Sequence, residues 1–200
     1  MSRLITNSIR STSASADAIT MDGSGNATFP ANVTCSGTAT GFGVDGVTMA
    51  NKWHLTGNFN LSNASTYYTI TGTWQESTAA GYNTGKIGSS MTESSGVFTF
   101  PSTGIYYIVY DCITGTSNDQ LNMWSYITVG SDNTSTNYMS VKASSGDSGT
   151  MNTVTHSALL DVTDVSAKKV FVRGYAANTG CYISGGDNRT CITFIRLGDT

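Results

Sequence analysis

One run constrains this chain more than any other: Gly96-Val97-Phe98-Thr99-Phe100-Pro101-Ser102-Thr103-Gly104-Ile105-Tyr106-Tyr107-Ile108-Val109-Tyr110. Residues 97–100 are short, β-branched and aromatic, which favours a strand. Pro101 lacks the N–H that a central ladder needs, and Gly104 frees the backbone to turn. Residues 105–110 then resume as a strand that is apolar at every position. Side chains alternate between the two faces of a strand. Such a strand must be covered twice, once by the core of its own subunit and once by something else.

Composition points the same way. Ser and Thr number 57, Gly 22 and Asn 15, together nearly half of 200 residues, whereas Glu occurs only at Glu76 and Glu93. Strong helix formers are scarce and turn and strand formers abundant. No window carries the i, i+3, i+4, i+7 apolar spacing of an amphipathic helix. An all-β chain is expected.

Charge excludes several partners. The net charge is −3, and the ten basic residues are scattered, with only Lys168 and Lys169 adjacent. A nucleic-acid binder needs a basic stripe. No apolar run approaches the ~20 residues that cross a bilayer, and the first residues lack the apolar core of a signal peptide. The expectation is a chain made in the cytoplasm, without nucleic-acid or membrane partners.

The four cysteines, Cys35, Cys112, Cys181 and Cys191, are too sparse for a disulfide scaffold and form no C-x-x-C pair. Cys181 and Cys191 flank Gly185-Gly186-Asp187. They read as buried free thiols, or as a facing pair if a hairpin centres there. The six Asn-x-Ser/Thr sequons are expected by chance in a chain this rich in Asn, Ser and Thr.

The chain divides into two parts. Residues 1–42 hold only Phe29 and Phe42 as aromatics. Residues 18–29 read as strand, Asp-Gly/Gly-Asn turn, strand, and 32–35 as a further short strand. So little apolar area cannot hold a monomeric fold together, so this part docks on a partner, interleaves with copies of itself, or stays unfolded. From Gly43 to residue 200, strands recur at the spacing of a β-sandwich: 52–61, 67–75, 86–91, 97–100, 105–114, 121–129, 137–143, 151–161, 170–176, 180–184 and 191–197. The 121–129 strand carries Trp124 and Tyr126 on its second face, again implying two covered faces. The 151–161 strand is half polar, like an outer strand.

The G-x-F-x-F-P-x-x-G-I-Y-Y motif at 96–107, the strand count and the closing strand Cys191-Ile192-Thr193-Phe194-Ile195-Arg196-Leu197 resemble the complement globular-head/tumour-necrosis-factor-like jelly roll over roughly residues 45–200. The resemblance implies a homotrimer in which one sheet of each subunit packs round a threefold axis, often through aromatics. Tyr106, Tyr107, Tyr110, Trp124 and Tyr126 are the candidates for the shared surface, and each has its own subunit's core as the alternative place.

The N-terminal phrases Ser8-Ile9-Arg10, Ser15-Ala16-Asp17-Ala18-Ile19-Thr20 and Ser24-Gly25-Asn26-Ala27-Thr28-Phe29-Pro30 resemble the attachment modules and fibre stems of virion proteins from tailed bacteriophages, especially marine ones. This likeness implies a virion-surface protein made in the host cytoplasm, joined to other virion proteins through an N-terminal arm or short β-stem, with a trimeric jelly-roll head.

No catalytic constellation is visible. Paired carboxylates for glycoside cleavage must lie roughly 5–10 Å apart, and the acids here sit singly in turns, where Asp caps its own backbone. No nucleophile elbow or phosphate loop occurs. His54 and His156 have no metal-ligand spacing. Calcium needs six to eight oxygens, and no D-x-D-x-D-G loop supplies them. The expectation is a non-enzyme without metal or cofactor. The polar loops that carry Asn118, Asp119, Asp132, Asn133, Asn137 and Asp147 are the candidate receptor-binding loops, suited to a host glycan or protein. Two functions follow: a fibre tip that attaches to a host surface, or a capsid decoration (cement) trimer whose short arm lies along the shell.

Overall fold

The computed structural model describes residues 8–10, 15–16, 19–24, 26–29, 47–77, 85–117, 121–132, 137–186 and 189–200. These residues form strands and turns, with no helix among them. The chain splits into two compact units, Met1–Asp45 and Gly46–Thr200.

In the first unit β1 (Ser8–Ile9), β2 (Ile19–Met21) and β3 (Ala27–Thr28) form an antiparallel sheet in that order. The Asp22 carboxylate closes the β2–β3 turn: it accepts from the Ser24 and Asn26 amides at 2.9 Å and from Asn26 Nδ2 at 2.8 Å. Ile9, Met21 and Phe29 stay about two-fifths exposed, so the described part of this unit has no core of its own. The strand expected over 32–35 lies outside the described residues.

The second unit holds β4 (Met49–Leu55), β5 (Phe59–Leu61), β6 (Thr66–Thr69), β7 (Trp74–Glu76), β8 (Thr92–Ser94), β9 (Val97–Thr99), β10 (Gly104–Thr116), β11 (Leu121–Gly130), β12 (Asn137–Gly146), β13 (Met151–Val162), β14 (Lys169–Ala176), β15 (Cys181–Ile183) and β16 (Cys191–Gly198). Two antiparallel sheets result. One runs β5-β15-β10-β16-β4-β7, with β13 paired to the other side of β10. The second runs β12-β11-β14-β9-β8, with β6 also paired to β14. A single apolar core lies between them.

The motif at 96–107 builds that core. Ser95 (φ 53°) and Gly96 (φ 78°) close the two-residue turn between β8 and β9, a left-handed geometry that suits Gly. Phe98 and Phe100 then point inward and meet Phe194 of β16 at ring-centroid distances of 5.3 and 6.1 Å. Trp74 packs edge-on against Phe98, and Tyr106 lies 4.5 Å from Phe100. Gly104 (φ 145°) permits the bend into β10, where a Cβ would lie 2.6 Å from the Gly198 carbonyl. Beyond it β10 alternates strictly: Tyr106, Ile108, Tyr110 and Cys112 are buried, while Ile105, Tyr107, Val109 and Ile113 are not.

Three expected strands differ. The 52–61 run is broken at Gly57 and Asn58, because Asn58 Oδ1 turns to accept the Gly185 amide at 3.1 Å. The 67–75 run divides between sheets: β6 pairs with β14, then the chain crosses at Thr71-Gly72 and β7 pairs with β4. Residues 86–91 make only one bridge, Ala50 to Ile87, and β8 is a strand the sequence did not announce. The half-polar 151–161 run is β13, an edge strand paired only with β10.

Candidate functional site

Each sheet turns one face to the core and one outward. On the first sheet, register places Ala50, Ile195, Tyr107 and Leu159 side by side across β4, β16, β10 and β13. The next row is Lys52, Thr193, Val109 and Ser157. Tyr107 is 36% exposed and Leu159 65%. A 440 Å³ depression opens on this face, lined by Ala50, Lys52, Ile87, Thr193 and Ile195 among others. The row towards the other end is polar: His54, Cys191, Asp111 and Thr155. There the Thr155 hydroxyl donates to Asp111 at 2.8 Å, and His54 Nδ1 lies 2.8 Å from the Ser77 hydroxyl. Burial first, then Lys52, holds the His54 imidazole below its usual pKa, and burial raises the Cys191 thiol. The face therefore grades from apolar to polar.

The second sheet carries a different outward face. Trp124, Tyr126, Tyr175, Tyr67 and Tyr138 form a continuous chain of rings. The centroids are 5.4 Å apart for Trp124–Tyr175, 4.8 Å for Tyr175–Tyr67, 5.7 Å for Tyr67–Tyr126 and 5.0 Å for Tyr126–Tyr138. Tyr67 and Tyr138 are about half exposed. Burial, then the neighbouring Tyr67, pushes the Tyr126 phenol above its usual range.

The five aromatics expected at one shared surface therefore occupy three places. Tyr106 and Tyr110 are 0% exposed within the single chain and belong to its own core. This corrects the expectation: even-numbered positions of β10 face inward, and only Tyr107 faces out. Trp124 and Tyr126 also face out, but from the opposite side of the sandwich. The sequence reading missed Leu159, Ile195 and Ile87 on the first face, and Tyr67, Tyr138 and Tyr175 on the second. The last three stand singly on β6, β12 and β14, so no local period marks them as one surface.

The candidate loop residues separate as well. Asn118, Asp119 and Asn133 lie outside the described residues. Asp147 is tied to the end of β10: its carbonyl accepts from the Thr116 hydroxyl at 2.6 Å, and Ser148 donates to the Ser117 carbonyl at 3.0 Å. Asp132 and Asn137 flank the far end of β11, where Val129 pairs with Asn137. The ten residues of β11 put about 30 Å between the two ends. One loop site spanning Asp132, Asn137 and Asp147 is not what the fold assembles.

The chemistry of the interior is structural. Ser125 and His156 are hydrogen-bonded, yet exposed by only 1% and 0%, so neither reaches a substrate. His54 and His156 stand on strands separated by β16 and β10 and face opposite sides of their sheet. Among the described residues, no three His, Cys, Asp or Glu side chains gather as metal ligands. Cys112, Cys181 and Cys191 are buried thiols outside any disulfide. Cys181 pairs in register with Thr116 and Cys191 with Asp111, five residues apart on β10, so the two do not face each other across a hairpin.

No protein-family model matches the chain, and no curated protein matches it. Solved structures do. An Eiger TNF from S. frugiperda superposes with a TM-score of 0.53 at 16% identity, covering 76% of this chain and 94% of that one. Murine APRIL, crystallised at pH 5.0, gives 0.54 at 11% identity, covering 74% and 98%. At such identities the likeness shows the fold: a tumour-necrosis-factor-like jelly roll.

Proposed function

We propose that the chain is a non-enzymatic, homotrimeric head whose first sheet packs round a threefold axis. The head is carried by an N-terminal attachment unit on the surface of a tailed-phage particle and contacts the host as a fibre tip. The observation that carries this reading is the outward face of the first sheet. Tyr107, Val109, Ile195 and Leu159 form an apolar surface on one wall of a finished sandwich. Apolar area of this kind is stabilised by removal from water at about 25 cal/mol per Å², and contiguous patches mark interaction sites. The tumour-necrosis-factor-like fold supports a cyclic trimer as the way to bury it. The phage setting rests on the N-terminal phrases, and the exposed apolar side chains of β1–β3 suit a unit that docks on another protein.

The exposed Ile9, Met21 and Phe29 of the first unit also suit an arm laid along a shell, which favours a second reading, a capsid decoration protein. Copy number per particle separates the two: hundreds of copies mean decoration, a few tens or fewer a fibre. The trimer itself is tested by light scattering of the purified chain at high dilution. A mass three times the 21.0 kDa of one chain is expected. A stable monomer overturns the reading.

A further inference from the structure

We propose that the outward aromatic face of the second sheet is a binding site for a neutral oligosaccharide, with Trp124 as the wall on which a sugar ring stacks. This rests on the reading of the chain as a binding head and names a ligand class and place for it, in a sheet face rather than in the loops.

The rings are the first observation. Five aromatics in unbroken contact on one sheet face lie on the side opposite Tyr107 and Leu159, so a trimer closed through the first sheet leaves them accessible. Aromatic faces are electron-rich. Sugar C–H groups, polarised by neighbouring oxygens, present positive hydrogen to such faces. Rings fixed on strands lose little conformational entropy on binding, and tyrosines add hydroxyls at their tips. Here the Tyr67, Tyr126 and Tyr138 rings pack together, with centroids 5.7 Å apart for Tyr67–Tyr126 and 5.0 Å for Tyr126–Tyr138.

The pocket beside Trp124 is the second. It encloses 170 Å³ and is lined by Asn122, Trp124, Ala143 and Ser144. Trp124 supplies an aromatic wall and Asn122 an amide, while the Ser144 hydroxyl is held by Thr114 at 2.9 Å; a single sugar ring needs such an apolar face with a hydrogen-bonding group at its edge.

Charge is the third, and it decides between a sugar and a stacked nucleic-acid base. Base-stacking surfaces are paired with basic grooves that follow the phosphates. Among the described residues, the only cationic side chain set among these rings is Arg173, and it is 6% exposed. The whole chain is acidic. An uncharged, hydroxyl-rich ligand fits.

The test is calorimetric titration of the full chain with maltohexaose, cellohexaose and chitohexaose in turn, beside Trp124→Ala and Tyr67→Ala, with the particle mass of each protein measured on the same samples. Saturable binding of at least one sugar is expected, weakened about tenfold by Trp124→Ala (about 1.4 kcal/mol) at unchanged mass. Absence of binding to all three sugars overturns the proposal, as does binding that Trp124→Ala leaves intact. A fall in mass in Trp124→Ala also overturns it, because the patch is then a protein interface. A wild-type monomer instead sinks the trimer reading and leaves the sugar result to be judged on its own.

Discussion

His156 Nε2 and the Ser125 hydroxyl lie 2.7 Å apart, where β13 of one sheet faces β11 of the other. The second ring nitrogen, Nδ1, is 3.0 Å from the Ser140 hydroxyl on β12, and the imidazole stacks on Tyr110 at 5.4 Å. One buried ring thus ties the sheets together. Burial, reinforced by Lys142 and opposed by Asp111, lowers its pKa from 6.5 to about 4.

That shift sets a pH dependence. The folded chain keeps His156 neutral, whereas the unfolded chain takes up a proton below about pH 6.5. Stability is therefore full above 6.5, falls as pH drops towards 4, and levels off below. The gap corresponds to about 3 kcal/mol. Thermal unfolding at pH 4 and 7.5 should show a marked loss at pH 4 for the natural chain and a smaller one for His156→Gln. His54 and Asp164, both also lowered, act in the same direction in both proteins and cancel in the comparison. An identical pH profile for the two proteins would remove His156 from the account.

Gly96 and Gly149 share a left-handed φ, 78° and 77°. A Cβ at Gly96 would lie 2.6 Å from the Ile70 carbonyl oxygen, and at Gly149 nothing lies within 4 Å. Gly149→Ala should cost about 1–2 kcal/mol from backbone strain alone. Gly96→Ala should cost visibly more, because the clash is with backbone that cannot swing aside. Denaturant midpoints of the two variants check this; equal losses would mean that the β8–β9 turn is free to shift.

The contrast between these glycines shows what the sequence could carry. The 96–107 motif was legible because its local signals agree: a turn glycine, two inward aromatics, a proline that ends the strand, and a period-2 run. That β10 is apolar on both faces followed from alternation alone. Which of its tyrosines faces inward did not, because the phase of the alternation is set by pairing with β13 and β16, far away in sequence. A phase slip of one residue exchanges Tyr106 for Tyr107. The split of 67–75 between sheets was hidden for a related reason: β-branched and aromatic residues favour strand without saying which sheet. The aromatic face of the second sheet needs β6, β11, β12 and β14 brought together, so its members lie scattered from Tyr67 to Tyr175.

Cysteine chemistry gives a third expectation. Burial pushes the Cys112 thiol to about 12 and raises those of Cys181 and Cys191. Only the thiolate reacts. At pH 8 native Cys112, Cys181 and Cys191 should resist iodoacetamide for hours, and all three should alkylate on unfolding, with no Cys181–Cys191 disulfide in peptide maps. Rapid native labelling of Cys112 would mean that the sandwich opens locally beside His156.

Leu159 gives the sharpest test of the open sheet face. Its side chain is 65% exposed in the single chain, so Leu159→Asp removes little from the subunit's own core. In a trimer closed through this face the same substitution buries a carboxylate beside Tyr107 and Ile195, and an unpaired buried charge costs several kcal/mol. The variant should sediment as a folded monomer with an unchanged β-sheet circular dichroism spectrum, and Tyr107→Asp should behave alike. Thr163→Asp, at an exposed position just after β13, is the matched control and should keep the natural mass. If Leu159→Asp remains trimeric with the melting temperature of the natural chain, the threefold contact lies on another face of the sandwich.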